Sequence, residues 1–200
     1  MEDNRSLRME AQALFNDEHY TEACDAYREL LKNFDKDFPF SLDMAIDFTN
    51  YGRCLILSTD FEDVDEDNLD SILEEAKIVL TNAVTVYENI DQDGSFEGDL
   101  IEVHEYLADV ESRRNNIKES QNEYKKAYEI GLNNSNIPWK TVATDMFNYA
   151  NEFLTQYNQS MDNIINFLDQ RLQTAEKEED KQQMNEFKAK IVSLKSELNK

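Results

Sequence analysis

Apolar residues recur through most of this chain three and four positions apart, the spacing of one face of an α-helix. From Leu7 to Leu31, Leu7, Ala11 and Leu14 share one helical face, and Tyr20, Ala23, Tyr27 and Leu30 share the face of a second helix that begins after a short turn. The arrangement returns with Gly52 in the place of Ala11, followed by Leu73, Ala76, Leu80 and Ala83 on a partner helix. It returns with Leu107 and Ala108, then Ile117, Ser120, Tyr124 and Ala127, and a fourth time with Met146, Tyr149, Ala150 and Phe153. The partner of that fourth helix, about Met161 to Leu172, has lost its alanines. A last stretch aligns Met184, Phe187, Ile191, Leu194 and Leu198 on one stripe, and only four Gly and two Pro in 200 residues favour long helices throughout.

A small residue where two helices cross, an aromatic at the turn, then alanine and aromatic residues at helical spacing resemble the tetratricopeptide pattern. The expected fold is therefore all-α: a tetratricopeptide-repeat solenoid of about four helix pairs, the second interrupted by an acidic loop, with a C-terminal capping helix. One domain over residues 1–200 is expected, with repeats at about 4–34, 41–90, 99–131 and, in degenerate form, 137–173, and a capping helix at about 177–199. The small crossing residues fall at 11, 52, 108 and 150, at intervals of 41, 56 and 42 residues, so every connection exceeds that of the standard repeat of about 34 residues. Ser41 reads as a helix N-cap, Gly131 as a left-handed C-terminal cap and Pro138 as part of a first helical turn. The final stripe fits either a cap over the solenoid end or a short coiled coil that would make a homodimer.

The longest interval carries the acidic stretch, about 59–71, which holds Asp60, Glu62, Asp63, Asp65, Glu66, Asp67 and Asp70 with no Lys or Arg between them. The whole chain is acidic, with 43 Asp and Glu against 20 Lys and Arg and a formal net charge of −23. Such a chain repels nucleic acid and attracts basic partners. Its 10% aromatic content and regular apolar spacing separate it from disordered acidic tails. Cys24 and Cys54 lie in no metal-like spacing, and a polar start with no apolar segment behind it points to a reducing compartment, cytosol or nucleus. No apolar run reaches the roughly 18 residues of a membrane span.

Catalytic and cofactor motifs are missing: there is no P-loop, GxGxxG, GxSxG or HExxH, and His19 and His104 fall in different repeats. His19 reads as a solvated turn residue and His104 as a structural one. Asn89, Asp91, Asp93 and Gly94 match the first half of a calcium loop, but its twelfth position is Leu100, where a bidentate Glu is required. No enzyme, cofactor or metal is expected.

In repeats of this kind the first helix of each pair lines an inner groove. The inward positions are Ile46, Thr49, Arg53, Ile56 and Leu57 in the second repeat, Glu102, Glu105, Asp109, Ser112 and Arg113 in the third, and Thr144, Phe147, Asn151, Leu154 and Thr155 in the fourth. Glu102, Glu105 and Asp109 would stack along one helical face and repel one another unless a cation bridged them. Arg53, Phe147 and Asn151 join them as candidate partner contacts, and the seven carboxylates of the insertion as an auxiliary basic-surface shield. A groove for the acidic tail of a heat-shock chaperone would need Lys, Arg and Asn here; Arg8 fits, but Gln12, Glu105 and Asp109 do not.

The stretches FTNYGRCLIL before the insertion, LEEAKIVLTNAV after it and YLADVESRRNNIKESQNEYKKAYEI in the third repeat resemble the NASP-like, or SHNi-TPR, histone chaperones, whose second repeat is likewise interrupted by an acidic segment. Ala108-Asp109-Val110-Glu111 stands where that family has Gly, an acid and an aliphatic residue followed by further acids, which brings Glu111 into the candidate site. The short insertion and the degenerate fourth repeat depart from the family, and no long basic C-terminal tail is visible. The resemblance implies an ATP-independent chaperone that binds histone H3 or H3 with H4, in some members linker histone, and shields it for transport or nucleosome assembly. It also implies a nuclear or shuttling protein with no direct contact to nucleic acid or membrane. The alternative is a general tetratricopeptide scaffold for a non-histone partner.

Overall fold

The computed structural model describes residues 2–32, 40–61, 66–91, 93–151 and 157–198. Among them are nine helices and no strand: α1 (Glu2–Asn16), α2 (Tyr20–Lys32), α3 (Leu42–Phe61), α4 (Glu66–Ile90), α5 (Glu97–Arg113), α6 (Ile117–Asn133), α7 (Trp139–Asn151), α8 (Tyr157–Thr174) and α9 (Glu178–Leu198). The chain divides into two compact units, 1–116 and 117–200, where the sequence pattern alone reads one domain. The division falls at the turn inside the third expected pair.

In the first unit each helix packs on the next in sequence, and α3 also touches α5. This is the neighbour-on-neighbour order of an all-α tetratricopeptide-like solenoid. The small residues sit where the pattern puts them, for Ala11, Gly52 and Ala108 are all buried. Gly52 marks a close crossing: a Cβ built on it would stand 2.4 Å from Cγ of Leu80, a residue with no solvent exposure. Tyr27 and Tyr51 stack with ring centroids 6.4 Å apart, beside the buried Cys24 and Cys54. A thiol–thiol hydrogen bond and burial push the Cys24 thiol well above its ordinary range, so it stays protonated.

Two turns close in the same way. After α1, Glu18 takes a left-handed conformation (φ 63°), its N–H bonding to Phe15 O at 3.1 Å and that of His19 to Leu14 O at 2.9 Å. After α5, Asn115 (φ 60°) repeats this, with Asn115 N–H on Ser112 O at 2.9 Å and Asn116 N–H on Glu111 O at 2.8 Å. Both are Schellman caps, which satisfy the last carbonyls of a helix and turn the chain into its partner.

Ser41 caps α3 as expected, its Oγ accepting from Met44 N–H at 3.3 Å. Gly131 does not end a helix: it is buried within α6, which runs on to Asn133, where the side chain of Asn133 donates to Glu129 O at 2.9 Å. The described residues of the acidic stretch are helical, since α3 continues through Asp60 to Phe61 and α4 starts at Glu66. Glu62, Asp63 and Asp65 lie outside the described residues.

The second unit packs α6 to α9 in succession around Val142, Ala143, Met146, Met161, Ile164, Phe167, Leu168, Met184 and Ile191. Helix α9 is a cap on this core. Its Met184 and Ile191 are buried in it, while Lys188 reaches Asp169 of α8 at 2.5 Å and Lys195 pairs with Asp162. Of the expected stripe, Met184 and Ile191 join this core, Phe187 packs against it and Leu194 remains 37% exposed.

Candidate partner-binding groove

Three first helices, α1, α3 and α5, meet side by side in the first unit, and an arginine from each ties them together. Arg8 of α1 grips the buried Asp47 of α3 with Nε at 2.8 Å and Nη2 at 2.6 Å, and reaches Asp43 at 2.9 Å. Burial raises the Asp47 pKa, and Arg8 acts against that rise. Arg53 of α3 lies over the ring of Phe15 of α1 at 5.1 Å and over that of Tyr106 of α5 at 5.5 Å. Its Nη1 stands 4.0 Å from Oε1 of Glu102, which in turn accepts the Tyr106 hydroxyl at 2.6 Å. Arg113 of α5 donates from Nε to Asp109 at 3.0 Å and from Nη1 and Nη2 to Asp60 of α3 at 2.6 and 3.1 Å.

Glu102, Glu105 and Asp109 do line one half-exposed face of α5. Cations of the chain itself stand beside two of them, however: Arg53 by Glu102 and Arg113 by Asp109. The offset missing from the acidic stretch also comes from α5, where Arg113 holds Asp60 while Arg114 bonds Asp70 at 2.9 Å and pairs with Glu74. Hydrogen bonding from Arg113 lowers the Asp60 pKa. Glu66 and Asp67 open α4, on the far side of residues 62–65.

Two of the remaining candidates are placed differently from the expectation. Glu111 is 3% exposed and turns into the protein, where Lys77 of α4 binds it at 2.6 Å and Asn116 donates to it at 2.7 Å. It is a packing residue, because a carboxylate so enclosed has no face left for a partner. Phe147 in the second unit is half-buried against Phe187 of α9, with ring centroids 6.5 Å apart, so the capping helix covers a position expected to face a groove. Asn151 is exposed at the end of α7; Phe153, Leu154 and Thr155 lie outside the described residues.

Arg8, Phe15 and Tyr106 were not among the candidates. Arg53 and Arg113 stand at inward positions of their repeats, but a one-dimensional pattern does not show which carboxylates or rings they meet. In the calcium-like loop, Asn89 is turned onto its own helix at Thr85 O, 2.7 Å away, and Asp93 accepts Ser95 N–H at 3.2 Å. Among the described residues no group of three or more His, Cys, Asp or Glu is arranged to hold a metal ion, and no helix is long and apolar enough to cross a membrane.

The fold is that of a tetratricopeptide-like helical repeat protein, with Glu102, Glu105 and Asp109 along one half-exposed face of α5. No protein-family model and no curated protein matches the chain in sequence. Among solved structures it is similar to the yeast histone chaperone Hif1, described as a scaffold protein recruiting protein complexes to core histones. The TM-score is 0.72 at 13% identity, covering 99% of this chain and 95% of that one. It is also similar to a protein of Podosopora anserina described as a kinesin light chain with nearly identical TPR-like repeats, with a TM-score of 0.56 at 12% identity over 98% of this chain and 92% of that one. A point-substituted form of the latter gives 0.57 at 11% identity over the same shares. At these identities the likeness is one of fold.

Proposed function

We propose that the chain is a histone chaperone of the NASP-like kind, which binds histone H3, or H3 with H4, in the groove of its first unit without ATP and shields it for transport or nucleosome assembly. The observation that carries the reading is the face of α5, where Glu102, Glu105 and Asp109 stand half-exposed, Tyr106 bonds Glu102, and Phe15 lies across Arg53 from Tyr106. Acidic groups next to apolar ones suit a basic amphipathic segment better than a bare polycation. The net charge of −23 steers such a partner in, and the similarity to Hif1 in fold adds support. Residence in the nucleus, with shuttling to the cytoplasm, and binding of linker histone belong to the same reading. Asp60, Asp70 and the acids between them serve as the auxiliary shield.

The test is a titration of H3–H4, of the other core-histone dimer and of isolated H3 peptides at moderate and at high salt. Groove recognition retains H3–H4 at high salt, and replacing Glu102 and Glu105 by Gln and Asp109 by Asn, which sets no new cation against Arg53 or Arg113, abolishes that retention. Loss of all histone binding at high salt would instead leave a general scaffold for a non-histone partner.

A further inference from the structure

The three groove arginines are not held alike. Arg8 is locked by a bidentate hydrogen-bonded pair to a carboxylate that is 1% exposed, and Arg113 by bonds to two carboxylates. Arg53 has an ion pair only at 4.0 Å, and is otherwise held between the faces of Phe15 and Tyr106, with 35% of its side chain open to solvent. Both ring distances fall within the roughly 6 Å over which a cation feels an aromatic face, an attraction of about 0.5–1 kcal/mol at an exposed site. The three groups around it come from two helices, Phe15 on α1 and Glu102 and Tyr106 on α5, and the Tyr106 hydroxyl orients the Glu102 carboxylate.

Two aromatic faces and a tethered carboxylate are the components of a receptor for a planar cation, and the chain shows such a cation seated there. We propose that Phe15, Tyr106 and Glu102 form a guanidinium-binding site, filled in the free protein by Arg53, and that an arginine of the basic partner displaces Arg53 to occupy it. The inference rests on the reading that the first unit's groove receives a basic protein, and it names arginine as the side chain selected there. The selection follows from chemistry: a guanidinium stacks on aromatic rings and meets a carboxylate with a flat fork, whereas a lysine ammonium is compact and strongly hydrated. Exchange of one guanidinium for another is close to neutral in energy, so Arg53 keeps the site formed and tempers its affinity. Of the three arginines it is also the one whose release breaks the least.

The test compares a fluorescein-labelled arginine-rich peptide with its counterpart carrying lysine at every arginine, against the wild-type chain, Arg53→Ala and Arg171→Ala. Arg171 lies over the Phe167 ring in the second unit, so its loss removes the same charge from a similar setting. Vacating the site should tighten the arginine peptide about tenfold, and the lysine peptide no more than Arg171→Ala does, with the gain cancelled by adding Phe15→Leu. Equal gains for both peptides would reduce the effect to bulk charge and overturn the proposal, as would no gain for the arginine peptide. Should Arg53→Ala fail to fold, methylguanidinium and methylammonium titrated into the wild-type chain decide: by NMR the former must shift the Phe15 and Tyr106 ring signals and the Arg53 Nε–H while the latter does not, and equal or absent shifts overturn the site. Neither probe carries histone sequence, so a negative result here leaves the histone titration standing, and a negative histone titration leaves this one.

Discussion

Arg113 near the end of α5 grips Asp60 near the end of α3 through both terminal guanidinium nitrogens, at 2.6 and 3.1 Å. The same side chain holds Asp109 on its own helix, so one cation neutralises a carboxylate of the insertion and a carboxylate of the groove. The end of α3 is thereby anchored to α5. Cutting out 60–70 would consequently remove the end of α3 and the start of α4 along with the charges.

Arg113→Ala should lower stability by less than about 1 kcal/mol, since Arg113 and both its carboxylate partners are partly exposed and the pairs are screened. It should nevertheless speed association with H3–H4 and steepen the salt dependence of that rate, because two carboxylates are freed. Stopped-flow mixing over a salt series checks this; a slower association would mean that Arg113 itself touches the partner.

Glu111→Ala should behave in the opposite way. Removing a buried, doubly bonded carboxylate strands Lys77 and Asn116 and should cost about 1–3 kcal/mol in urea unfolding. Histone affinity of the fraction that remains folded should be unchanged, which separates a packing residue from a contact residue.

Gly52→Ala places a methyl group 2.4 Å from Leu80 Cγ, and Leu80 is enclosed on all sides. Overpacking at such a crossing should cost about 1–3 kcal/mol. The loss should be less than additive with Leu80→Ala in a double-mutant cycle, because the smaller side chain makes room.

Stability should also fall with acid through Glu75. Burial alone would raise its pKa, but Arg28, bonded at 3.2 and 3.1 Å, and the Tyr51 hydroxyl, at 2.5 Å, bring it below the ordinary value. The folded state therefore binds fewer protons than the unfolded one. Its contribution is complete above the usual carboxylate range and disappears as pH falls through the folded value. Unfolding free energies measured from neutral to acid pH should show a shallower decline in Glu75→Gln than in the wild-type chain.

What the linear sequence determined is what depends on neighbours within one helix: the helical periodicity, the small residues at Ala11, Gly52, Ala108 and Ala150, the Ser41 cap and the inward Met184, Phe187 and Ile191 of α9. Each of these is decided by backbone geometry and by spacing of three or four residues. The end of α6 escaped that logic, since Gly131 is helical as readily as it is left-handed and nothing local says which. Charge pairing escaped it altogether. Arg8 meets Asp47, Arg53 meets Phe15 and Tyr106, and Arg113 meets Asp60 across separations of about 40 to 50 residues, and Glu111 turns inward to Lys77. A carboxylate's availability depends on which cation the folded helices bring within a few ångströms, and only packing in three dimensions decides that.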